Sequence, residues 1–165
     1  MDLKTNLTVS KLGPESDGLL HNLLQYYVHD MAQWFRMDTQ PDGSYFYDTS
    51  NVWDVYDVYL AKAGESIAGF AIIGRADDLM ANDVHEFFVI RKFRRTGIGS
   101  EFASKIWSLY PGRWVVRVFE ANSPAVLFWR NAIGTYSRGS FTEQVKTIAE
   151  RRWHFFHFSS HDLVP

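Results

Sequence analysis

Between Glu86 and Ala103 the chain passes from an apolar run through Arg91, Lys92, Arg94 and Arg95 into Gly97-Ile98-Gly99, and then into a helical pattern. A helix begins with backbone N–H groups that lack internal partners, and its dipole adds partial positive charge there. Glycines remove the side chains that would hold an anion off. A strand, a Gly-x-Gly turn and a helix in that order make a phosphate cradle, and Arg94 and Arg95 add charge where phosphate oxygens would lie. The plain alternative is a solvated basic turn whose glycines serve tight packing. Two familiar phosphate loops do not fit. No Gly-Lys-Ser/Thr ending is present, and Phe102 stands where a dinucleotide fingerprint needs its third glycine.

The elements around this turn can be read from spacing. Residues 6–12 alternate weakly and suit a short edge strand. Pro14 opens a helix in which Leu20, Leu24, Tyr27, Met31 and Phe35 keep helical spacing to Trp34 or beyond. Residues 37–54 are rich in turns. Residues 55–63 and 66–74 predict a hairpin about Ala63-Gly64-Glu65, residues 77–83 a loop, and residues 84–90 a buried strand. A helix over 97–109, a strand over 114–119 and a helix over 124–133 follow, the last opened by Ser123-Pro124 and capped by Gly134. Strands over 135–142 and 152–159 finish the chain. The order predicts one α/β domain over 1–165 with a mixed sheet.

Composition bounds the function. The chain has 165 residues, 46% hydrophobic and 16% aromatic, enough for a core, and no cysteine. A disulfide framework, a thiolate metal site and a cysteine nucleophile are excluded. No run of about 18 apolar residues exists, so no membrane span is expected. The first ten residues lack the apolar core of a signal peptide, so a cytoplasmic protein is expected. Net charge is −2, but residues 1–86 hold 14 acids and 5 bases whereas residues 87–165 hold 5 acids and 12 bases. The halves either map onto two charged faces or mix in space. Arg117, Arg130, Arg151 and Arg152 are scattered without a stacking platform, so no nucleic acid partner is expected.

Arg94-Arg95-Thr96-Gly97-Ile98-Gly99 resembles the Arg/Gln-x-x-Gly-x-Gly/Ala signature of the GNAT N-acetyltransferases. The preceding Phe87-Phe88-Val89-Ile90 is similar to that family's fourth strand, with Arg91 where a proline is frequent. Asn122-x-x-Ala125-x-x-Phe128-Trp129 is similar to its second motif, with Gly134 at the usual glycine. The close resemblance covers about residues 84–135. It implies a mixed, mostly antiparallel central sheet flanked by helices and splayed between strands 4 and 5. It implies acetyl-CoA as co-substrate, no metal, and acetyl transfer to a primary amine by direct attack in a ternary complex. By the same resemblance, amides of Arg94, Arg95, Thr96, Gly97, Ile98, Gly99 and Ser100 would hold the pyrophosphate. Phe88, Val89 and Ile90 would align the pantetheine arm, and Asn122, Phe128 and Trp129 would flank the thiol end. Amides near Val89 would polarise the thioester carbonyl. Relatives in that family often form a homodimer, which nothing in this sequence decides.

The departure is Trp129, where the family often has a tyrosine proposed to protonate the leaving thiolate. An indole N–H has no useful acidity. Either the thiolate leaves without a protein acid, or another residue such as Tyr136 supplies the proton, or transfer is lost and the chain is a non-catalytic acyl-CoA sensor. An alkylammonium has a pKa of about 10, so a base must take its proton. Glu86 heads the apolar strand and is the first candidate, and it would also touch the acceptor. His85 is the alternative, since alternation along a strand lets only one of the two face a cleft. Residues 34–59 are aromatic-rich and hold Asp38, Asp42, Asp48, Asp54 and Asp57, which could attract a cation or simply be solvated. With Tyr27, Asp30 and Trp34, and more thinly Tyr26 and His29, they suggest a small-molecule amine acceptor, cationic or aromatic, with a protein amine as the competing substrate. His154, His157 and His161 do not share a strand face with an acid, and no metal site is expected.

Overall fold

The hairpin and the buried strand read from the sequence build the centre of the computed structural model, which describes residues 6–160. His161 lies outside the described residues. The elements are β1 (Leu7–Leu12), α1 (Asp17–Phe35), α2 (Val52–Val55), β2 (Asp57–Ala63), β3 (Ser66–Ala76), β4 (Ala81–Val89), α3 (Ile98–Leu109), β5 (Gly112–Phe119), α4 (Ser123–Tyr136), β6 (Phe141–Ile148) and β7 (Arg151–Ser160). Short 3-10 turns precede α1, β4 and the glycine turn. The strands form one mixed sheet in the order β1-β2-β3-β4-β5-β7-β6, antiparallel except for β4 and β5. This single α/β domain matches the expected architecture.

Each face of the sheet is covered. On one side α1 lays Leu20, Leu23 and Leu24 on Phe70, Ile72 and Phe88. On the other, α3 and α4 bury Phe102, Ile106, Trp107 and Ile133 against Trp114, Val116 and Phe156. Trp107, Phe102 and Phe156 are fully buried, and each such side chain contributes roughly 1.5–3 kcal/mol through burial.

β4 and β5 are in register only at Asn82↔Trp114 and Asp83↔Val115. From Val84 onward β4 pairs with β3 alone, so the sheet opens between strands 4 and 5, as expected. A second irregularity acts on the same strand. Ile72 opposes Glu86 while the next residue, Ile73, opposes Val84, so His85 is an extra residue in a β-bulge. Val84 packs on the α3–α4 side, whereas Glu86 bonds to Tyr27 of α1.

Several boundaries differ from the expectation. β4 starts at Ala81, because Asn82 and Asp83 find partners on both neighbouring strands. α4 runs through Gly134 to Tyr136, so Gly134 does not cap it; the left-handed residues are Arg138 and Gly139. β6 spans Phe141–Ile148 instead of 135–142. It turns into β7 at Ala149 and Glu150, which have φ of 47° and 63°. Such a turn normally carries Asn or Gly, so the sequence held no signal for it.

Gly69 lies in β3 opposite Val89. A Cβ there would fall 2.1 Å from the Phe88 carbonyl oxygen and 3.2 Å from Val89 Cα. Gly69→Ala is expected to cost about 1–3 kcal/mol through forced backbone movement, lowering the thermal midpoint by about 3–10 °C in a calorimetric scan.

Candidate active site

The opening between β4 and β5 leads into a cavity of about 330 Å³ that passes through the sheet. Ala125 and Trp129 of α4 line it on one side, and Tyr27, Met31 and Phe35 of α1 on the other. Between them lie Glu86 and Phe87 of β4 and Arg117 and Phe119 of β5.

Among the described residues, Glu86 is the only acid in the lining. The Tyr47 hydroxyl donates to its Oε1 at 2.8 Å, and the Tyr27 hydroxyl donates to Oε2. Burial pushes the carboxyl above its ordinary range, against the pull of those two hydrogen bonds and the nearby His85. Burial, and then the charge of Glu86, push both tyrosines well above the usual phenol range, so they remain donors. Tyr47 reaches this place because Gln25 of α1 holds the 37–51 segment like a short strand. Its side-chain amide donates to the Tyr45 carbonyl at 3.0 Å and accepts from the Tyr45 N–H at 2.7 Å.

His85 also lines the cavity, stacked on Tyr56 at 4.4 Å. The expectation that only one of His85 and Glu86 faces the cleft fails, because the bulge breaks the alternation at that pair. Deeper in, Phe87 meets Trp129 edge-on at 4.9 Å and Phe128 at 6.0 Å. Trp129 is 7% exposed. Asn122 lines the cavity while its Oδ1 caps α4, accepting from the Ala125 N–H at 3.2 Å.

The edge of β4 beside the opening carries backbone donors. Ile90 gives its N–H to Ala68 at 2.8 Å. The Val89 N–H, one step back in the alternation, therefore points away from β3 and into the gap. Phe88 is turned to the α1 core, and by the same alternation its backbone groups face β3, so contrary to the sequence expectation it has no part at this edge.

The glycine turn follows. Arg95 and Gly97 are left-handed, at φ of 62° and 88°. The hydrogen-bond ladder of α3 starts with the Glu101 N–H on the Gly97 carbonyl at 3.1 Å, which leaves the first-turn amides of Ile98, Gly99 and Ser100 ahead of it. A Cβ on Gly99 would press on the Phe128 ring at 3.1 Å. The Ile98 side chain is buried in the core below. Thr96 turns its hydroxyl inward to the Phe93 carbonyl at 2.6 Å.

Arg94 is placed differently from the sequence expectation. Its Nε donates to the Val89 carbonyl at 2.8 Å and its guanidinium pairs with Asp30 at 2.6 Å. Its own N–H is taken by the Arg91 carbonyl at 3.1 Å. Arg94 thus ties the end of β4 to α1. Arg95 is exposed on the turn. Burial alone would raise the Asp30 carboxyl, but the hydrogen bonds from Arg94 and Arg91 outweigh it and keep that group below the usual range. Neither Asp30 nor Trp34 lines the cavity; Met31 and Phe35 of the same helix do. His29 bonds the Tyr45 hydroxyl at 3.1 Å and Tyr26 is exposed.

The aspartates of the aromatic segment do local work. Asp42 and Asp48 accept from the N–H groups of Ser44 and Ser50, and Asp57 pairs with Lys11 at 2.6 Å. Tyr136 bonds Ser108 at 3.2 Å and is absent from the cavity wall. His154 does meet acids, Glu143 at 2.7 Å and Glu120 at 3.6 Å, which come from other strand segments. Among the described residues no group of three or more His, Asp or Glu is placed to hold a metal ion, and no helix is long and apolar enough to cross a membrane. Sequence reasoning missed Tyr47, Phe119 and Trp153 as lining residues. Tyr47 lies on an irregular loop 39 residues from Glu86, and no periodicity marks it.

No family model matches the chain, and no curated protein does. Solved structures do. An acetyltransferase from Thermus thermophilus is similar at a TM-score of 0.68 and 12% identity, covering 94% of this chain and 97% of that one. A spermidine N-acetyltransferase from Vibrio cholerae, in complex with CoA and spermine, gives 0.63 and 10%, covering 93% and 95%. The ribosomal-protein-S18-alanine N-acetyltransferase from Escherichia coli gives 0.59 and 14%, covering 97% and 99%. At these identities the likeness is one of fold: the chain has the GNAT acetyltransferase fold that its two motifs resemble.

Tyr47→Phe removes a hydrogen bond that favours the ionised carboxylate, so Glu86 should titrate at a higher pH in the variant. The expected shift is upward, since the lost hydrogen bond stabilises only the ionised form. The carbon-13 shift of the Glu86 carboxyl against pH measures it.

Proposed function

We propose that the protein is an acetyl-CoA-dependent N-acetyltransferase that acylates a primary amine of a small molecule by direct attack in a ternary complex. The observation that carries this reading is Glu86: a half-buried, ionisable carboxyl next to Phe87, in a cavity that crosses the sheet where β4 loses its second partner.

The residues present suit acetyl-CoA. The first-turn amides of α3 and the left-handed Arg95 and Gly97 offer donors for a diphosphate. The Val89 N–H offers a strand-edge donor for an extended pantetheine arm, the backbone groups of Phe88 and Ile90 being engaged by β3 and the following turn, and Phe128, Trp129 and Asn122 surround its far end. Bound there, acetyl-CoA supplies an activated acyl carbonyl. The Val89 N–H is oriented to donate to that carbonyl oxygen.

Glu86 takes the proton of the incoming ammonium. Its raised pKa makes it a stronger base than an ordinary carboxylate. Tyr27 and Tyr47 hold it in place. The thiolate is a good leaving group and is protonated by water, since Trp129 has no acidic proton and Tyr136 is elsewhere. The chain has no cysteine to form a covalent acyl-enzyme.

The loop bearing Tyr47, pinned by Gln25, covers the α1 side of the cavity and favours a small acceptor over an extended peptide. A second reading, a non-catalytic acyl-CoA sensor, draws on the indole at position 129. Release of CoA that depends on an added amine, read with a thiol reagent, supports the enzyme; CoA binding without turnover of any amine supports the sensor.

Glu86→Gln is expected to lower kcat by about 10²–10⁴-fold, the usual weight of a general base, while calorimetry gives an unchanged affinity for CoA. Gly97→Val strains a left-handed position and should weaken CoA binding by about tenfold or more, the equivalent of 1–2 kcal/mol of backbone strain.

A further inference from the structure

The charges around the cavity are unequal. Among the described residues, Glu86 is the only carboxylate in its lining. Two acids next in the chain to lining residues have partners. Asp83 is 3% exposed and paired with Arg117, and Asp30 is paired with Arg91 and Arg94. Of the aspartates in the 37–57 segment, Asp42 and Asp48 cap their own turns and Asp57 binds Lys11, and none of the segment's aspartates lines the cavity. One ammonium on Glu86 would therefore be balanced, and a second would not. A cation left unpaired in a closed site is strongly disfavoured.

The rest of the acceptor side is apolar and aromatic. Phe35, Phe119 and Trp153 form one cluster, with ring centroids 5.0–6.2 Å apart, and all three line the cavity with Met31. These rings would accept a second ring at the same spacings. Two of these rings already hold a cation. The Arg151 guanidinium lies 5.0 Å from the Phe35 centroid and 5.6 Å from that of Phe119. A second positive charge on the substrate would meet Arg151 at one end of this cluster.

Resting on the acetyltransferase reading, we infer that the acceptor is a monoamine with an apolar body the size of an aromatic ring, its single ammonium at Glu86 and its body among Phe35, Phe119 and Trp153. Polyamines are excluded by charge, whatever the fold shares with enzymes that use them. Met31 is the position at which this selectivity is set: it lies four residues along α1 from Tyr27, on the same helix face, and contributes no charge.

The test compares kcat/KM for 2-phenylethylamine, spermidine and a short peptide with an N-terminal alanine, at saturating acetyl-CoA, with CoA affinity measured separately by calorimetry. The expected result is a preference for 2-phenylethylamine of about tenfold or more. Met31→Glu, which adds a second carboxylate beside the first, should move the ratio of spermidine to 2-phenylethylamine upward by about tenfold. Trp153→Ala should raise KM for 2-phenylethylamine several-fold with little change in kcat. A native preference for spermidine or for the peptide overturns the inference and leaves acetyl transfer standing. CoA binding without turnover of any amine overturns both.

Discussion

Two strands that run parallel and then part company set the terms for this molecule. A backbone N–H or C=O removed from water needs a partner, and a central strand normally finds partners on both sides. β4 does so only at Asn82 and Asp83. Beyond them β3 alone satisfies it, and the second edge is left for something outside the chain. The parting also splits the sheet's two side-chain layers, so that α1 and α4 see one another through the gap. The cavity, the free Val89 amide and the glycine turn at the end of the same strand follow from this one divergence.

The β-bulge at His85 sets the chemistry within that frame. Without the extra residue, Val84 and Glu86 would share a face by strict alternation. With it, Val84 joins the α3–α4 core and Glu86 turns to α1, where two tyrosine hydroxyls meet it. Burying a carboxyl there opposes folding once it ionises. Its folded-state pKa is raised, so the stability it contributes is complete below the ordinary carboxylate range and is lost as pH rises through the folded value. The tyrosines offset part of that cost. They also depend on Gln25, a residue remote from the reacting atoms, to keep the loop of Tyr47 in place. The Glu86 carboxyl is thus held by the packing of α1 and its following loop, and the rigid sheet only aims it.

Electrostatics divide by partner more than by sequence half. Arg94, apparent from sequence as a phosphate ligand, commits its guanidinium to Asp30 and the Val89 carbonyl. It works as a clamp between helix and strand. Of the acids that looked like a cation-attracting cluster, Asp42 and Asp48 cap turns, Asp57 makes an ion pair, and none lines the cavity. Exposed pairs of this kind contribute under about 1 kcal/mol each, so their value lies in local geometry. What remains for the cavity is one carboxylate among rings, a more selective arrangement than an acidic cluster would have been.

The sequence by itself determined the parts governed by near neighbours. Alternation, the Gly64 hairpin and helical spacing set the order of elements, and the strand–Gly97-Ile98-Gly99–helix junction marked a candidate anion cradle, because donors and glycine freedom there are local properties of a few residues. The last hairpin escaped, since Ala149 and Glu150 adopt left-handed turns that their side chains do not advertise. Only the tertiary structure decided which side chains surround Glu86. Tyr47 comes from a loop 39 residues away and Trp153 from the last strand, while Asp30, Trp34 and Tyr136, plausible by position, stand outside the cavity wall, Asp30 and Tyr136 drawn off to other partners. A bulge, a strand divergence and the competition among partners for each charged group arise between segments distant in the chain, and no local pattern encodes their outcome.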